Sequence, residues 1–330
     1  MLKIGILSTA HMHAGAYVAG LRGSTEAQIV GLWDDDTARK DERAAGFSIP
    51  AYETLSGLLD ASDAVVICSE NSKHRELTEA AAAAGKHVIS EKPLAPNADD
   101  AKAMVDACAK AGVRLYTAFP CRFSPAFWQL KSAVENGDLG EVLAARCTNQ
   151  GMCPGGWFID TKLSGGGAVM DHTVHVTDLL RALLKDEARE VYCEASNGFA
   201  HSDYDDAGIS TINFESGIYA SLDASWSRPK SFPTWGNVTM SIVGTKGVIE
   251  MDMFAQESVL YSDKTGKVSY QNWGSNIDAG LVTAFVKACQ GDEASHKMLA
   301  SGIDGLRAVE VVEAAYKSVE THQPERVIRR

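Results

Sequence analysis

The sequence predicts an α/β protein in two parts: a doubly wound parallel sheet over residues 1–121, then an α+β domain with a large open, mainly antiparallel sheet over residues 122–330. Three observations predict this. In the first third, short and nearly continuous apolar runs alternate with helical segments, as in a parallel sheet covered on both faces. Beyond about residue 122, alternating or β-branched runs are divided by turns such as "ESG" and "GTKG", the pattern of an antiparallel sheet. The length of 330 residues, 45% of them apolar, suits about two domains of roughly 150 residues each.

Lys3 to Leu7 is the first strand, and Met12, Ala16, Ala19 and Leu21 then recur at near-helical spacing. "AQIVGLWDDD" is the second strand, ended by three acidic residues. "DAVVIC" and "KHVISEKP" are the third and fourth, and the helix "HRELTEAAAAAG" between them is capped by Gly85. "VRLYTAF" is the fifth and completes a Rossmann-type sheet. Ligands of such sheets lie beyond the carboxyl ends of the strands, so the turns after Leu7, Trp33, Cys68, Ser90 and Phe119 should border one crevice.

In the second part "VLAARCTNQG", "REVYCEASN", "GISTINFES", "GIYASLDASWS", "NVTMSIVGT" and "GVIEMDMF" read as strands, with helices around 125–136 and 171–184. A last helix, about Ile303 to Glu320, sets Leu306, Val309, Val312 and Ala315 on one face and should pack back on the first domain. One face of the large sheet takes the catalytic helices. The other is half apolar and needs a cover, so a homodimer or homotetramer is expected.

A net charge of −12 repels polyanions, so neither nucleic acid nor an anionic membrane surface is an expected partner, and small-molecule chemistry is favoured. Seven cysteines without CxxC spacing read as reduced, mostly buried thiols of a cytoplasmic protein. No apolar stretch of about 18 residues and no signal-like segment is present, so a chain that is neither exported nor membrane-spanning is expected.

Against the dinucleotide fingerprint G-x-G-x-x-G, the opening loop has Ser8, Ala10 and His13 at the glycine positions. Small residues and the free N–H groups of a helix start still suit a pyrophosphate. Ser8, Ala10 and His13 are therefore expected to build a divergent cofactor loop, with a structural role for His11. Asp34 ends the second strand, where a carboxylate bonds the adenosine ribose and repels a 2′-phosphate, which favours NAD over NADP. Asp35 and Asp36 add to the repulsion. Arg39 could rescue NADP, and a solvated acidic turn is the plainer alternative.

From Ser69 onward the motifs are specific: "ENSKHRELTEAAAAAGKHVISEKPLA", "RFSPAFWQLKSAVENGDLGEV", "SGGGAVMDHTVHVTDLL", "IVGTKGVIEMD" and "DGLRAVEVVEAAYKS" follow in turn. In this series the chain resembles the Gfo/Idh/MocA family of NAD(P)-dependent sugar and polyol oxidoreductases over nearly its whole length. The resemblance implies that Lys92 lies between the nicotinamide and the reacting hydroxyl, that Glu91 lies near the nicotinamide ribose, and that Asn71 and His74 border the cofactor. It also implies that Asp171 and His175 form the D-x-x-x-H pair that binds and deprotonates substrate. Many relatives carry an arginine after the tryptophan where Phe158 stands here, so a polar substrate contact is lost.

Elementary chemistry points the same way. Lys92 ends a buried strand, where an ammonium is costly unless it faces a polar cleft, here beside Glu91. Asp171 and His175 are four apart, on one helical face and in mutual reach. A histidine with an ordinary pKa of about 6.5 is a natural base for a hydroxyl proton. His172 points about 100° around the helix from Asp171 and is the weaker candidate; Asp178 reads as a polar side of the helix. Trp157, Phe158, Trp226, Trp235 and Trp273 could line the cleft, although burial is the ordinary role of any one of them.

The expected reaction is hydride transfer between NAD and a secondary hydroxyl or ketone of a sugar, polyol or related small molecule. Two enzymatic alternatives stand beside it. One is redox-neutral processing of a glycoside with resident NAD. The other is a metal-dependent hydrolase using His11 and His13, which would need further ligands on a closed barrel. A non-catalytic dinucleotide or sugar sensor is a third class, and the presence of Lys92 and His175 argues against it.

Overall fold

The computed structural model describes the chain except Pro233, Gln256 and Trp273, so Trp273 lies outside the described residues. Its first half runs β1 (Leu2–Leu7), α1 (Ala14–Arg22), β2 (Ala27–Trp33), α2 (Thr37–Phe47), α3 (Leu55–Ala61), β3 (Ala64–Ile67), α4 (His74–Ala83), β4 (His87–Ser90), α5 (Ala98–Ala111) and β5 (Leu115–Thr117). The strands stand in the order β5-β4-β3-β1-β2, all parallel. β3 is buried along its whole length and β4 from Val88 onward, as the continuous apolar runs require. Gly85 takes the expected left-handed conformation behind α4, with φ 71°.

The face assigned to α1 is corrected. The helix buries Ala14, Tyr17, Val18 and Leu21, while Met12 precedes it and is half exposed. A 14, 17, 18, 21 stripe follows the helical repeat more closely than one begun at Met12, and Tyr17 fills more of the core than Ala16 or Ala19 could.

The second half runs α6 (Pro125–Glu135), β6 (Val142–Gly151), α7 (Thr161–Ser164), α8 (Ala168–Leu184), β7 (Ala188–Ser196), β8 (Ala207–Phe214), β9 (Tyr219–Ser225), β10 (Gly236–Gly244) and β11 (Val248–Asp252). There follow β12 (Glu257–Ser262), β13 (Lys267–Asn272), α9 (Ile277–Cys289), α10 (Glu293–Met298), β14 (Ala300–Ser301), α11 (Gly302–Thr321) and β15 (Glu325–Arg326). Seven strands form one sheet in the order β11-β10-β6-β9-β8-β7-β15, antiparallel except between β6 and β9. α8 and α11 pack on its inner face over a core that includes Leu179, Leu183, Ile212, Phe214, Leu222 and Val311. The outer face exposes Tyr192, Ile209, Tyr219 and Val248 among polar neighbours.

The chain returns to the first domain with more than the last helix. Leu281, Phe285 and other α9 residues join the core under α1, β14 pairs antiparallel with β5, and Leu306 and Val309 of α11 enter the core beside α5. These returns hold the two domains against each other, and the crevice lies in the seam.

Candidate active site

The seam is lined by the ends of β1, β4 and β5, by α8, and by loops before β6 ends and before α9 begins. Its cavity of about 330 Å³ has Lys92, Asp171, His172 and His175 on the wall, with His11 and His13 beside them. That volume lies at the small end of ordinary ligand pockets. Phe158, Trp235, Val238 and Phe254 supply the apolar part of the wall, and Asn149 and Asp278 two more polar groups.

β4 delivers Lys92 at its carboxyl end, and its Nζ donates to Asp171 Oδ1 at 2.6 Å across the domain boundary. The pair is nearly buried, so each charge depends on the other. Trp226 Nε1 donates to the second oxygen of Asp171 at 3.1 Å, and His172 Nε2 lies 3.3 Å from it. Burial alone would raise the Asp171 carboxyl, but Lys92 and His172 outweigh it and hold the group well below its usual range.

α8 presents this set because its first turn is built by other residues. Asp205 accepts the N–H groups of Gly167 at 3.0 Å and Val169 at 2.7 Å, and Tyr316 Oη accepts those of Gly167 and Met170. A Cβ on Gly167 would stand 1.9 Å from the Asp205 carbonyl oxygen, and one on Gly166 would stand 2.1 Å from Tyr316 Oη. The glycine run of "SGGG" therefore permits close approach as well as breaking the chain direction.

Asp171 and His175 share a face of α8, but no hydrogen bond joins them among the described residues. Both oxygens of Asp171 are already engaged. The ring of His175 packs against Phe119, and its Nδ1 lies 3.9 Å from the Cys121 thiol. Burial, aided by the Lys92 charge, depresses the His175 pKa well below its usual value, so the imidazole is neutral at pH 7. His172 is more engaged than its expected lesser role suggested: its Nδ1 lies 2.9 Å from the Asn149 carbonyl oxygen. Asp178 is structural, gripping Arg122 through both oxygens at 2.7 and 2.6 Å.

The opening loop keeps a glycine-like course without the glycine. Ser8 has φ 63°, a left-handed conformation that costs a non-glycine residue about 1 kcal/mol. At the start of α1 the N–H groups of His13 and Ala14 are taken by His11 Nδ1 and the His11 carbonyl oxygen, each at 3.2 Å, which leaves those of Gly15 and Ala16 for an anion. Trp157 Nε1 donates to the Ala10 carbonyl at 3.0 Å and stacks on Phe158, closing the loop from the second domain.

At the end of β2, Asp34 is buried, and Arg39 donates to it from Nε at 2.8 Å and Nη2 at 2.6 Å. Burial would raise this carboxyl, but the Arg39 hydrogen bond and the N–H groups of Thr9 and Asp36 keep it below its ordinary value. Arg39 also reaches Asp35 and Glu70, and Lys73 reaches Asp35 and Glu70. The guanidinium that could rescue NADP is thus committed to carboxylates.

Three expected cofactor neighbours stand differently. Glu91 is fully buried behind the cavity wall, with Oε1 3.4 Å from His11 Nδ1 and 3.2 Å from His13 Nδ1. It braces the two histidines. His74 is fully buried with its ring nitrogens on the carbonyl oxygens of Pro93, Leu94 and Ser69, so it shapes the turn that presents Lys92. Asn71 donates to the Ser164 carbonyl at 2.7 Å and joins the domains. Glu91 and His74 satisfy their polar atoms one layer behind the cavity wall, whereas Asn71 Oδ1 is buried without a hydrogen-bond partner among the described residues.

Sequence reasoning missed Asn149, Asp205, Asp278 and Tyr316. Their signals are weak singly, since each is one polar residue at the end of an otherwise ordinary element. Trp226 was visible only as an aromatic, without its carboxylate partner. Among the described residues all seven cysteines are free thiols, five of them buried, as expected. No described helix is long and apolar enough to cross a membrane.

Comparison with known proteins fits this architecture. Residues 2–119 match a family model described as an oxidoreductase family with an NAD-binding Rossmann fold, and residues 127–250 match the GFO/IDH/MocA C-terminal domain. The chain is similar to 1,5-anhydro-D-fructose reductase of Ensifer adhaerens, with 30% identity over 94% of each chain. It is also similar to myo-inositol 2-dehydrogenase of Thermotoga maritima, with 31% identity over 78% of each. The crystal structure of a probable dehydrogenase from Thermotoga maritima superposes with a TM-score of 0.85 at 27% identity, covering 99% of this chain and 100% of that one. A strand-end lysine paired with a helix aspartate across a Rossmann seam is thus set in a chain that belongs to the Gfo/Idh/MocA family of NAD(P)-dependent oxidoreductases.

Proposed function

We propose that this enzyme transfers hydride between NAD and a secondary hydroxyl, or the matching ketone, of an uncharged sugar or polyol. The observation that carries this reading is the Lys92–Asp171 pair beside a neutral His175 on one cavity wall. His175 takes the hydroxyl proton. Lys92 polarises the oxygen and favours its alkoxide character, and Asp171 fixes the ammonium. Bound nicotinamide supplies the hydride acceptor or donor. The start of α1 and the loop Ser8–His13 would hold its pyrophosphate, and Asp34 would border the ribose.

Preference for NAD is supported by the end of β2, where Asp34, Asp35 and Glu70 outnumber Arg39 and Lys73 and leave a negative surplus toward a 2′-phosphate. An uncharged substrate is supported by the wall itself. Among the described residues Lys92 is the wall's only lysine or arginine, and Asp171 already matches that charge. The reductase and dehydrogenase to which the chain is similar are named for anhydrofructose and inositol, which are neutral polyhydroxy compounds. The mixed outer face of the seven-stranded sheet is proposed as a homo-oligomer contact.

A second reading, redox-neutral processing of a glycoside with resident NAD, is supported by Trp157, which clasps the cofactor loop from the other domain. One experiment separates the two. Purified protein is titrated with NAD and NADP, then given neutral polyols, aldoses, uronic acids and glycosides while nicotinamide absorbance and product are followed. Net NADH from a neutral polyol or sugar supports the dehydrogenase; product without net NADH supports the second reading, and binding of neither dinucleotide contradicts both.

A further inference from the structure

The corner beneath the opening loop holds a cluster of three side chains to which the proton and hydride steps proposed above give no role. His11 and His13 leave the end of β1, Glu91 ends β4, and their ligand-type atoms lie within 4.8 Å of one another. His13 Nδ1 hydrogen-bonds Glu91 Oε1 at 3.2 Å, and His11 Nδ1 lies 3.4 Å from the same oxygen. Ligand bonds of about 2.0–2.1 Å around a tetrahedral ion set donor atoms roughly 3.3–3.4 Å apart, so these two spacings already approximate edges of such a polyhedron.

We propose that His11, His13 and Glu91 form a binding site for one divalent cation of the zinc, cobalt or nickel class, open toward the crevice. Two imidazoles and one carboxylate are a ligand set that such borderline ions favour over magnesium or calcium. Charge agrees: Glu91 contributes one negative charge and Asp278, on the same cavity wall, a second, whereas Lys92 is neutralised by Asp171. Asp278 Oδ1 is buried without a hydrogen-bond partner among the described residues. Such groups are costly to bury unless a ligand meets them. The ion would compete with three contacts: the His13 backbone N–H on His11 Nδ1 at 3.2 Å, the His13 Nδ1–Glu91 Oε1 hydrogen bond at 3.2 Å, and Tyr17 Oη, 3.4 Å from His13 Nδ1.

The test is a Co²⁺ titration of the full chain, freed of metal and dinucleotide, followed by visible absorption and repeated with Zn²⁺ as competitor. The expected result is one Co²⁺ per chain with the d–d bands of a four- or five-coordinate ion, no thiolate charge-transfer band, and displacement by Zn²⁺. His13 is partly exposed, so His13→Gln should fold, as circular dichroism would verify, and should weaken Co²⁺ binding at least about tenfold; Glu91→Gln should do the same. Asp278→Asn should weaken it less. Absence of the bands at millimolar Co²⁺ overturns the proposal. So does binding that His13→Gln leaves unchanged, which would place the ion on the acidic surface. A thiolate band would assign it to a cysteine and overturn the proposal equally.

Discussion

Helix α8 carries two buried carboxylate–cation pairs of opposite character. Asp178 holds Arg122 through both oxygens, and Arg122 Nη1 also donates to the Leu299 carbonyl at 3.2 Å, so the guanidinium fork is satisfied by protein. Asp171 meets Lys92 through one oxygen at 2.6 Å, and the pair forms part of the cavity wall. An ammonium has three donors, so one carboxylate contact does not saturate it. The comparison teaches that burial of a charge pair says little about its role. What separates architecture from chemistry is whether donors remain for a ligand.

Substitutions should split the two pairs cleanly. Lys92→Met is expected to lower kcat by about 10²- to 10³-fold, the effect of losing one donor to a developing oxyanion, while dinucleotide affinity changes little. Lys92→Met with Asp171→Asn should recover thermal stability lost by the single change without recovering activity; recovered turnover would break the comparison. Asp178→Ala should do the reverse. Taking the two-oxygen partner from buried Arg122, which keeps only Asp304 Oδ2 at 3.5 Å and the Leu299 carbonyl, costs up to about 3–5 kcal/mol in chemical denaturation, with kcat of the folded fraction within a few-fold of wild type.

His175→Asn sharpens the assignment of the base. Loss of a positioned general base lowers kcat about 10²-fold or more, and the acid limb of the pH–rate profile should vanish with it. The sign follows from the depressed imidazole pKa: the neutral, active form persists at pH 7, and activity falls only once pH drops well below the ordinary histidine range. Stability has the same sign. His11, His74 and His175 are all held neutral by burial, so the unfolded chain takes up protons first and stability declines as pH falls below about 6.5. Urea denaturation across pH 4–8 measures that decline; a flat profile would contradict it. The smallest effect is expected at Asp34→Ser, which should shift the NAD-to-NADP ratio of kcat/KM toward NADP by about tenfold, or 1.4 kcal/mol.

Much of this was legible in the residues. Continuous apolar runs such as "DAVVIC" could only be interior strands, and the change to alternation after residue 122 marked the second sheet. Lys92 was legible because an ammonium at the end of a buried strand needs a cleft. Less legible was anything decided by pairing across the domain boundary. The four-residue spacing put Asp171 and His175 on one face, but Lys92 and Trp226 come from 79 and 55 positions away and take the oxygens that spacing had assigned to His175. Glu91 and His74 were placed near the cofactor by motif alone, and their hydrogen bonds to His13 and to the Pro93 and Leu94 carbonyl oxygens join segments that the motif does not link. Periodicity also misjudged α1, where one tyrosine outweighed several alanines.

The most direct test is single-turnover hydride transfer, read at the nicotinamide absorbance with saturating NAD and the best substrate of the panel, in wild type and Lys92→Met. The account predicts one reduced nicotinamide per wild-type chain and a rate about 10²- to 10³-fold slower in the variant, at comparable NAD affinity. Equal rates in the two proteins, or a wild type that never reduces its nicotinamide, would contradict it.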